Sequence, residues 1–414
     1  MNLQNDKLNI VIINDYAHVQ GGAAQVAIES ARGLALAGHR VTFVYGSGSG
    51  SVSDQLRHEN IALLELGQHD LLSNPSRLDA ACKGIWNRMV EVKLSQFFPQ
   101  LPRDKTIIHI HTWVKSLSVS AVTAASKSGL PVVVTLHDYF SVCPNGGFYN
   151  YQTQSACTLK PLSRACLVTN CDARSYPQKL WRYARQIVTT LAGMPRNVQH
   201  FIYVSEFSRQ ILAPHLPTTD ATFWNVPNPI DTQRYSPRKP SDSSVISYIG
   251  RLSREKGADL FAAAACYGRF QARLVGDGEL KAELTAKNPN AEFTGWVDRS
   301  AVDYYIGTSR AIVFPSRCYE TQGMVVAEAA AQGVPCIVSD ACAGRDFVEH
   351  EATGLWFRNG DAKDLAAAMQ RLYDNPKLAD KLGQGAYEQF WKSPPTIDRH
   401  IQVLTSCYSQ ILRK

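Results

Sequence analysis

The chain has 414 residues, enough for two to three domains of ordinary size and at least one sizeable core. Its 45% apolar and 19% charged residues, with 27 Gly and 20 Pro, are a globular composition that excludes a collagen-like, low-complexity or largely disordered chain. The formal net charge of +7 is uneven: residues 1–225 hold 20 Lys and Arg against 14 Asp and Glu, whereas residues 226–414 hold 23 against 22, so the first half is the one suited to phosphate groups or an anionic membrane surface.

Short apolar runs alternate with helical periods along the whole chain. LNIVIIN (8–14) reads as a strand, followed by a Gly-Gly turn and a helix ending near Gly38; RVTFVYG (40–46), TIIHIH (106–111), PVVVTLH (131–137) and HFIYVS (200–205) are the next strands. They are continuously apolar rather than alternating, as parallel strands buried on both faces must be. A Pro- and Ser-rich stretch, PNPIDTQRYSPRKPSDSS (227–244), reads as a linker. The pattern then repeats in VISYIG (245–250), ARLVGDG (272–278), AEFTGW (291–296), AIVFPS (311–316) and VPCIVSD (334–340), with helices at 300–309 and 324–333 between strands, amphipathic helix over 361–390 and a last helix after Ser393-Pro394-Pro395. The expected fold class is α/β, with two doubly wound, Rossmann-like domains facing across a cleft, and ligands bind at the carboxyl ends of such sheets. No apolar run approaches the roughly 18 residues of a spanning helix, and the opening MNLQNDKLNIVIIND lacks the features of a signal peptide, so the expected location is cytoplasmic. No basic, aromatic-interleaved nucleic-acid module is present, and no nucleic-acid partner is expected.

Four motifs carry chemistry. Gly21-Gly22 follows the first strand and opens the first helix, where glycine lets a phosphate or sugar approach helix amides; a ligand-free tight turn is the bland alternative, and this is not the GxGxxG of dinucleotide enzymes. GRLSREKG (250–257) places Arg251 and Lys256 in a loop at a strand end, a forked guanidinium and a point-charge ammonium suited to a diphosphate, with a solvated basic turn as the alternative. In CYETQGMVVAEAAAQGVP (318–335), Glu320 falls in a loop, the amides of Gly323, Met324 and Val325 stand free at a helix start, and Glu328 lies about a turn deeper, so two carboxylates flank an anion site and suit a ligand with a sugar at each end of a diphosphate, unless Glu328 is an ordinary surface Glu of the helix. In LHDYF (136–140), His137 ends a buried strand where it can bond a hydroxyl or assist proton transfer, with a structural histidine as the alternative, while His109 and His111 of HIHTW read as structural.

Gly21-Gly22, His137-Asp138, GRLSREKG, VGDGEL, FTGWV and the Glu320–Glu328 pair occur in the order and spacing of family 4 of the retaining glycosyltransferases, which the sequence resembles over nearly its whole length and most closely in its second half. The resemblance implies a GT-B fold: residues 1–226 as an acceptor-binding domain, 227–392 as the nucleotide-sugar donor domain, and 393–414 as a helix crossing back onto the first. It implies that Arg251, Lys256 and the amides after Gly323 hold the donor diphosphate, with Gly22 beneath it, that Glu328 binds the ribose, that Glu320 binds the transferred sugar, and that His137 contacts the sugar and supports its developing positive charge. Transfer with retention, by front-face attack and with the leaving phosphate taking the acceptor proton, needs no protein nucleophile and, given the two cations, no catalytic metal. The implied partners are a nucleoside-diphosphate sugar and a glycan or lipid-linked acceptor, with peripheral contact at the inner face of the membrane, in synthesis of a bacterial surface polysaccharide such as lipopolysaccharide. A GT-B-like nucleotide-sugar 2-epimerase and a non-catalytic nucleotide-sugar-binding protein are the alternatives.

One region departs from the family. Residues 143–171 hold Cys143, Cys157, Cys166 and Cys171, four of the ten cysteines, and four thiolates of a reduced protein suit a structural zinc ion or an iron–sulfur cluster; coincidental buried thiols are the alternative. The flanking segment 160–196 is basic, with Lys160, Arg164, Arg174, Lys179, Arg182, Arg185 and Arg196 against Asp172 alone, which suits a phosphate-bearing acceptor, a membrane surface or a solvated helix face.

Overall fold

The structure, a computed structural model, describes residues 7–48, 52–216 and 221–413. The first six residues of the opening stretch read above for a signal peptide lie outside these. The strands are β1 (Asn9–Tyr16), β2 (Arg40–Ser47), β3 (Ile61–Glu65), β4 (Thr106–Ile110), β5 (Val132–Thr135), a small hairpin of β6 (Tyr149–Asn150) and β7 (Ser155–Ala156), β8 (His200–Tyr203) and β9 (Thr222–Asn225). The second half contributes β10 (Val245–Ile249), β11 (Gln271–Val275), β12 (Glu292–Gly295), β13 (Ala311–Phe314), β14 (Cys336–Ser339) and β15 (Gly354–Phe357). They form two parallel sheets, ordered β3-β2-β1-β4-β5-β8-β9 and β12-β11-β10-β13-β14-β15.

In both sheets the chain builds outward in one direction from its first strand and then returns to build the other side. That puts a topological switch point between β1 and β4 in the first sheet and between β10 and β13 in the second. The central strands β1, β2, β4, β5, β8, β10, β11, β13 and β14 match the continuous apolar runs. The edge strand β12 matches AEFTGW, whereas the edge strands β3, β9 and β15 were not read as strands, although β3 opens on four apolar residues. Two of them, β3 and β9, are mostly half-exposed, so they need no unbroken apolar stretch. The amphipathic stretch at 361–390 is two helices, Ala362–Asp374 and Pro376–Lys392, broken where Asn375 caps the second and Pro376 cannot continue the first.

The last helix, Ile397–Leu412, lies against the first sheet. Its Leu404, Cys407, Tyr408 and Ile411 are buried in one cluster with Ile10, Ile12, Val41 and Phe43. His400 bonds Ser30 at 2.9 Å, and Tyr408 bonds His109 at 2.6 Å. Among the described residues no helix is long and apolar enough to cross a membrane.

Candidate functional site

A cavity of about 740 Å³ opens between the two switch points, lined by Gly21, Gly22, Asp15, Lys115, His137 and Asp138 from the first sheet's side and by Arg251 from the second. Gly21 has φ 147°, which lets the chain leave β1 and enter the helix Gly22–Leu36 directly; no side chain caps that helix, and its first turn holds no acidic residue. The helix Met324–Gln332 begins in the same way, on Gly323, without a side-chain cap or an acid. Its hydrogen bonds start with Val326 and Ala327 donating to the Gly323 carbonyl, so the amides of Gly323, Met324 and Val325 precede the ladder. A Cβ placed on Gly22 would stand 3.8 Å from Met324 Sδ, so the two helix starts meet across the cleft. Two uncapped N-termini, each with free amides and a positive dipole end, form a site for an anion.

Glu320 and Lys256 are brought together. Lys256 Nζ donates to both carboxylate oxygens at 2.6 and 2.7 Å, and Ser316 Oγ donates at 2.6 Å. Burial works against the Lys256 charge, but the Glu320 carboxylate outweighs it and holds the ammonium above its ordinary range. Glu320 sits at φ 42°, a left-handed backbone that a non-glycine residue adopts at some cost. Contacts across the cleft fix this turn: Tyr139 OH donates to the Glu320 carbonyl at 2.7 Å, and Thr321 Oγ1 donates to the His137 carbonyl at 2.9 Å.

Glu328 is buried and takes a short hydrogen bond from Arg299, whose other terminal nitrogen donates to the Asp231 carbonyl at 3.1 Å. Burial pushes the Glu328 carboxyl up and the guanidinium pulls it back. Glu320, Lys256 and Glu328 are not among the residues that line the cavity; they stand behind it, paired with protein groups.

His137 lines the cavity and is half-buried, with Nε2 2.9 Å from Nδ1 of His111; the two rings stack at 5.1 Å. Burial lowers its pKa to about 3, and it lowers His111 and His109 well below the ordinary histidine range, so all three are neutral at pH 7. His109 is fixed between Tyr408 and Thr135, in keeping with a structural role. Asp138, beside His137, has its pKa raised to about 6 by burial and, after the opposing Phe140 amide, by the Asp15 charge. Asp15 itself is wholly buried at the end of β1, where its carboxylate takes amides of Lys115, Ser116 and Leu117 at 2.8–3.2 Å and so holds the loop beneath the cavity.

The four cysteines do not form a metal site. Among the described residues no group of three or more His, Cys, Asp or Glu is placed to hold an ion. Cys143 is packed in the apolar core with Val142, Phe148 and Met194. The space beside Cys166 and Cys171 is filled by Lys179, whose Nζ lies 3.3 Å from Cys166 Sγ. With an ammonium beside these two sulfurs, the arrangement gives no support to a zinc ion or an iron–sulfur cluster at that point.

Sequence reading missed Arg299, Ser316, Tyr139 and Thr321. Arg299 follows FTGWV by two residues, yet nothing local ties it to Glu328, 29 positions on.

A family model described as glycosyl transferases group 1 matches residues 229–389, and one described as glycosyltransferase family 4 matches residues 20–234. A GDP-mannose-dependent alpha-mannosyltransferase of Mycobacterium tuberculosis is 32% identical over 143 residues, 32% of this chain and 37% of that protein. The lipopolysaccharide core biosynthesis glycosyltransferase LpsD of Rhizobium meliloti is 32% identical over 157 residues, 36% of this chain and 45% of that protein. The matches thus span less than half the length of these relatives. Among solved structures, HepE of Anabaena in complex with UDP and glucose superposes with TM-score 0.68 at 16% identity, covering 97% of this chain and 100% of that one. Sucrose-phosphate synthase of Thermosynechococcus elongatus superposes with TM-score 0.71 at 19% identity, covering 98% and 100%. These likenesses show the GT-B fold, and since the family 4 model spans more than half of the sequence, the chain belongs to glycosyltransferase family 4.

Proposed function

We propose that the protein is a retaining glycosyltransferase that moves a hexosyl group from a nucleoside-diphosphate sugar to a glycan or lipid-linked acceptor in surface polysaccharide synthesis. The observation that carries the reading is the meeting of two uncapped, acid-free helix starts, at Gly22 and Met324, beside a cavity that Arg251 also lines. In this reading it is a diphosphate site made of amides, dipoles and the exposed Arg251 cation. The relatives' printed activities, a GDP-mannose-dependent transfer and a lipopolysaccharide core transfer, and the UDP and glucose in the HepE complex agree with such a ligand.

In this reading residues 227–392 bind the donor, residues 1–226 the acceptor, and the helix after Ser393 returns to the first domain. Lys256 exchanges Glu320 for a phosphate oxygen as the donor seats, which frees the Glu320 carboxylate for hydroxyls of the transferred sugar. Glu328 binds the ribose and Arg299 positions it. His137, neutral, offers a lone pair or its carbonyl to the sugar as positive charge grows at the anomeric carbon, and the leaving phosphate takes the acceptor proton. Arg251 and Lys256 supply the charge stabilisation that other transferases draw from a metal ion. The acceptor lies in a second groove of about 520 Å³, which shares Leu72, Val114, Lys115 and Phe140 with the cavity and adds Trp181, Arg182 and Arg185. Its mixture of guanidinium and apolar surface suits a phosphate-bearing, lipid-linked acceptor. The exposed Leu180, Ile187 and Leu191 on the adjoining helix suit a place at the inner face of the membrane.

The test is incubation with labelled UDP-, GDP- and dTDP-sugars and candidate acceptors, with product analysis. A new glycoside with retained configuration supports the reading, an epimerised donor points to the epimerase, and binding without turnover points to a non-catalytic module.

A further inference from the structure

The cysteine-rich segment carries another arrangement of reactive groups. Lys179 is fully buried, and among the described residues no carboxylate pairs with it; Asp172, the acid nearest in sequence, is taken by Arg182 at 2.9 Å. Its partners are sulfur atoms: Cys166 Sγ at 3.3 Å and the Cys171 thiol, with the Tyr183 ring 5.7 Å away. Cys166 is buried as well, on the short helix Arg164–Val168, whereas Lys179 is on the helix Tyr176–Leu191 that lines the groove beside the cavity. An ammonium buried without a carboxylate is costly, and the Cys166 sulfur stands within hydrogen-bond reach of it. Burial works against the lysine charge, and the two sulfurs more than offset it.

We propose that Cys166 and Lys179 form a redox-sensitive covalent bridge in which one oxygen atom joins Sγ to Nζ. The oxidant is molecular oxygen. The S–H bond and one N–H bond break, S–O and O–N bonds form, sulfur and nitrogen each give up two electrons, and dioxygen is reduced to the bridging oxygen and one water, which carries away the two hydrogens. An inserted oxygen asks sulfur and nitrogen to close only part of the 3.3 Å between them, whereas a direct sulfur–nitrogen bond would require them to close by about half. The bridge staples the segment 143–171 to the helix that carries Trp181, Arg182 and Arg185. A dithiol reductant reopens it.

The full chain, purified under reducing conditions and then held in air-saturated buffer, is to be read by intact mass and peptide mapping. The expected result is a gain of one oxygen and loss of two hydrogens, about 14 Da, in a peptide pair linking Cys166 to Lys179 and reversed by dithiothreitol. Trypsin should no longer cut at Lys179. Cys171→Ser should keep the product and Lys179→Met should lose it; the wild-type map alone decides if that variant fails to fold. A Cys166–Cys171 disulfide, oxidation of Cys166 with Lys179 free, or both residues unmodified after exposure would each overturn the assignment.

Discussion

Replacing Glu320 by Gln should separate diphosphate binding from transfer, because the two charges of the candidate site neutralise each other in the free protein. Lys256 is bound at 2.6 and 2.7 Å to the carboxylate that is proposed to hold sugar hydroxyls, so an arriving diphosphate must win the ammonium from Glu320. The Lys256 side chain is 30% exposed and that of Glu320 11%, so the pair is partly screened and worth about 1 kcal/mol, the upper end for accessible ion pairs. Glu320→Gln keeps the shape and an oxygen acceptor but removes that competition. Nucleoside diphosphate should bind as tightly as to wild type or up to about fivefold more tightly, while turnover falls. Lys256→Met removes a charge-assisted contact worth about 1.5–3 kcal/mol, and should weaken the same ligand roughly ten- to a hundredfold. Titration calorimetry with the free diphosphate on both variants, with thermal melts as a check on folding, measures this. If Glu320→Gln weakens diphosphate binding as much as Lys256→Met does, the exchange of partners is wrong.

Four further outcomes follow from the same geometry. Arg251→Ala should leave the melting temperature unchanged, since its side chain is 68% exposed, yet weaken diphosphate binding about tenfold or more by calorimetry. Glu328→Gln should weaken nucleotide and donor alike, and Arg299→Ala should do so and also lower the melting temperature, because it strands a buried carboxylate at a cost of several kcal/mol. Gly33→Val should loosen the last helix: even a Cβ at this position would stand 2.5 Å from Ile401 Cγ1, and overpacking of this kind costs about 1–3 kcal/mol, readable in denaturant melts. Asp138, raised from 3.8 to about 6, favours the folded state only while protonated. Wild type should therefore lose stability relative to Asp138→Asn as pH rises from about 4 to 6 and stay level above that; a difference that does not vary with pH would contradict the burial of this carboxyl.

The division between what the sequence determined and what the tertiary structure decided follows the range of the interactions. Strands buried on both faces must be apolar throughout, so β1, β4, β5, β10 and β13 were legible as unbroken runs. The glycines at 21 and 323 were legible as helix starts because a helix that opens on glycine declares its free amides locally. Even the break at Asn375-Pro376 is written in two adjacent residues, although the amphipathic period alone ran through it. Of the edge strands only β12 was read, from AEFTGW; β3, β9 and β15 are short and are placed by pairing with their neighbours, which no local pattern announces. Pairings across the fold were invisible for the same reason. Lys256 finds Glu320 over 64 positions and Tyr139 reaches Glu320 over 181, and no periodicity links them. The cysteine cluster shows the limit most plainly: composition placed four thiols within 29 residues, but only packing could put the Lys179 ammonium against Cys166 and bury Cys143 in the core.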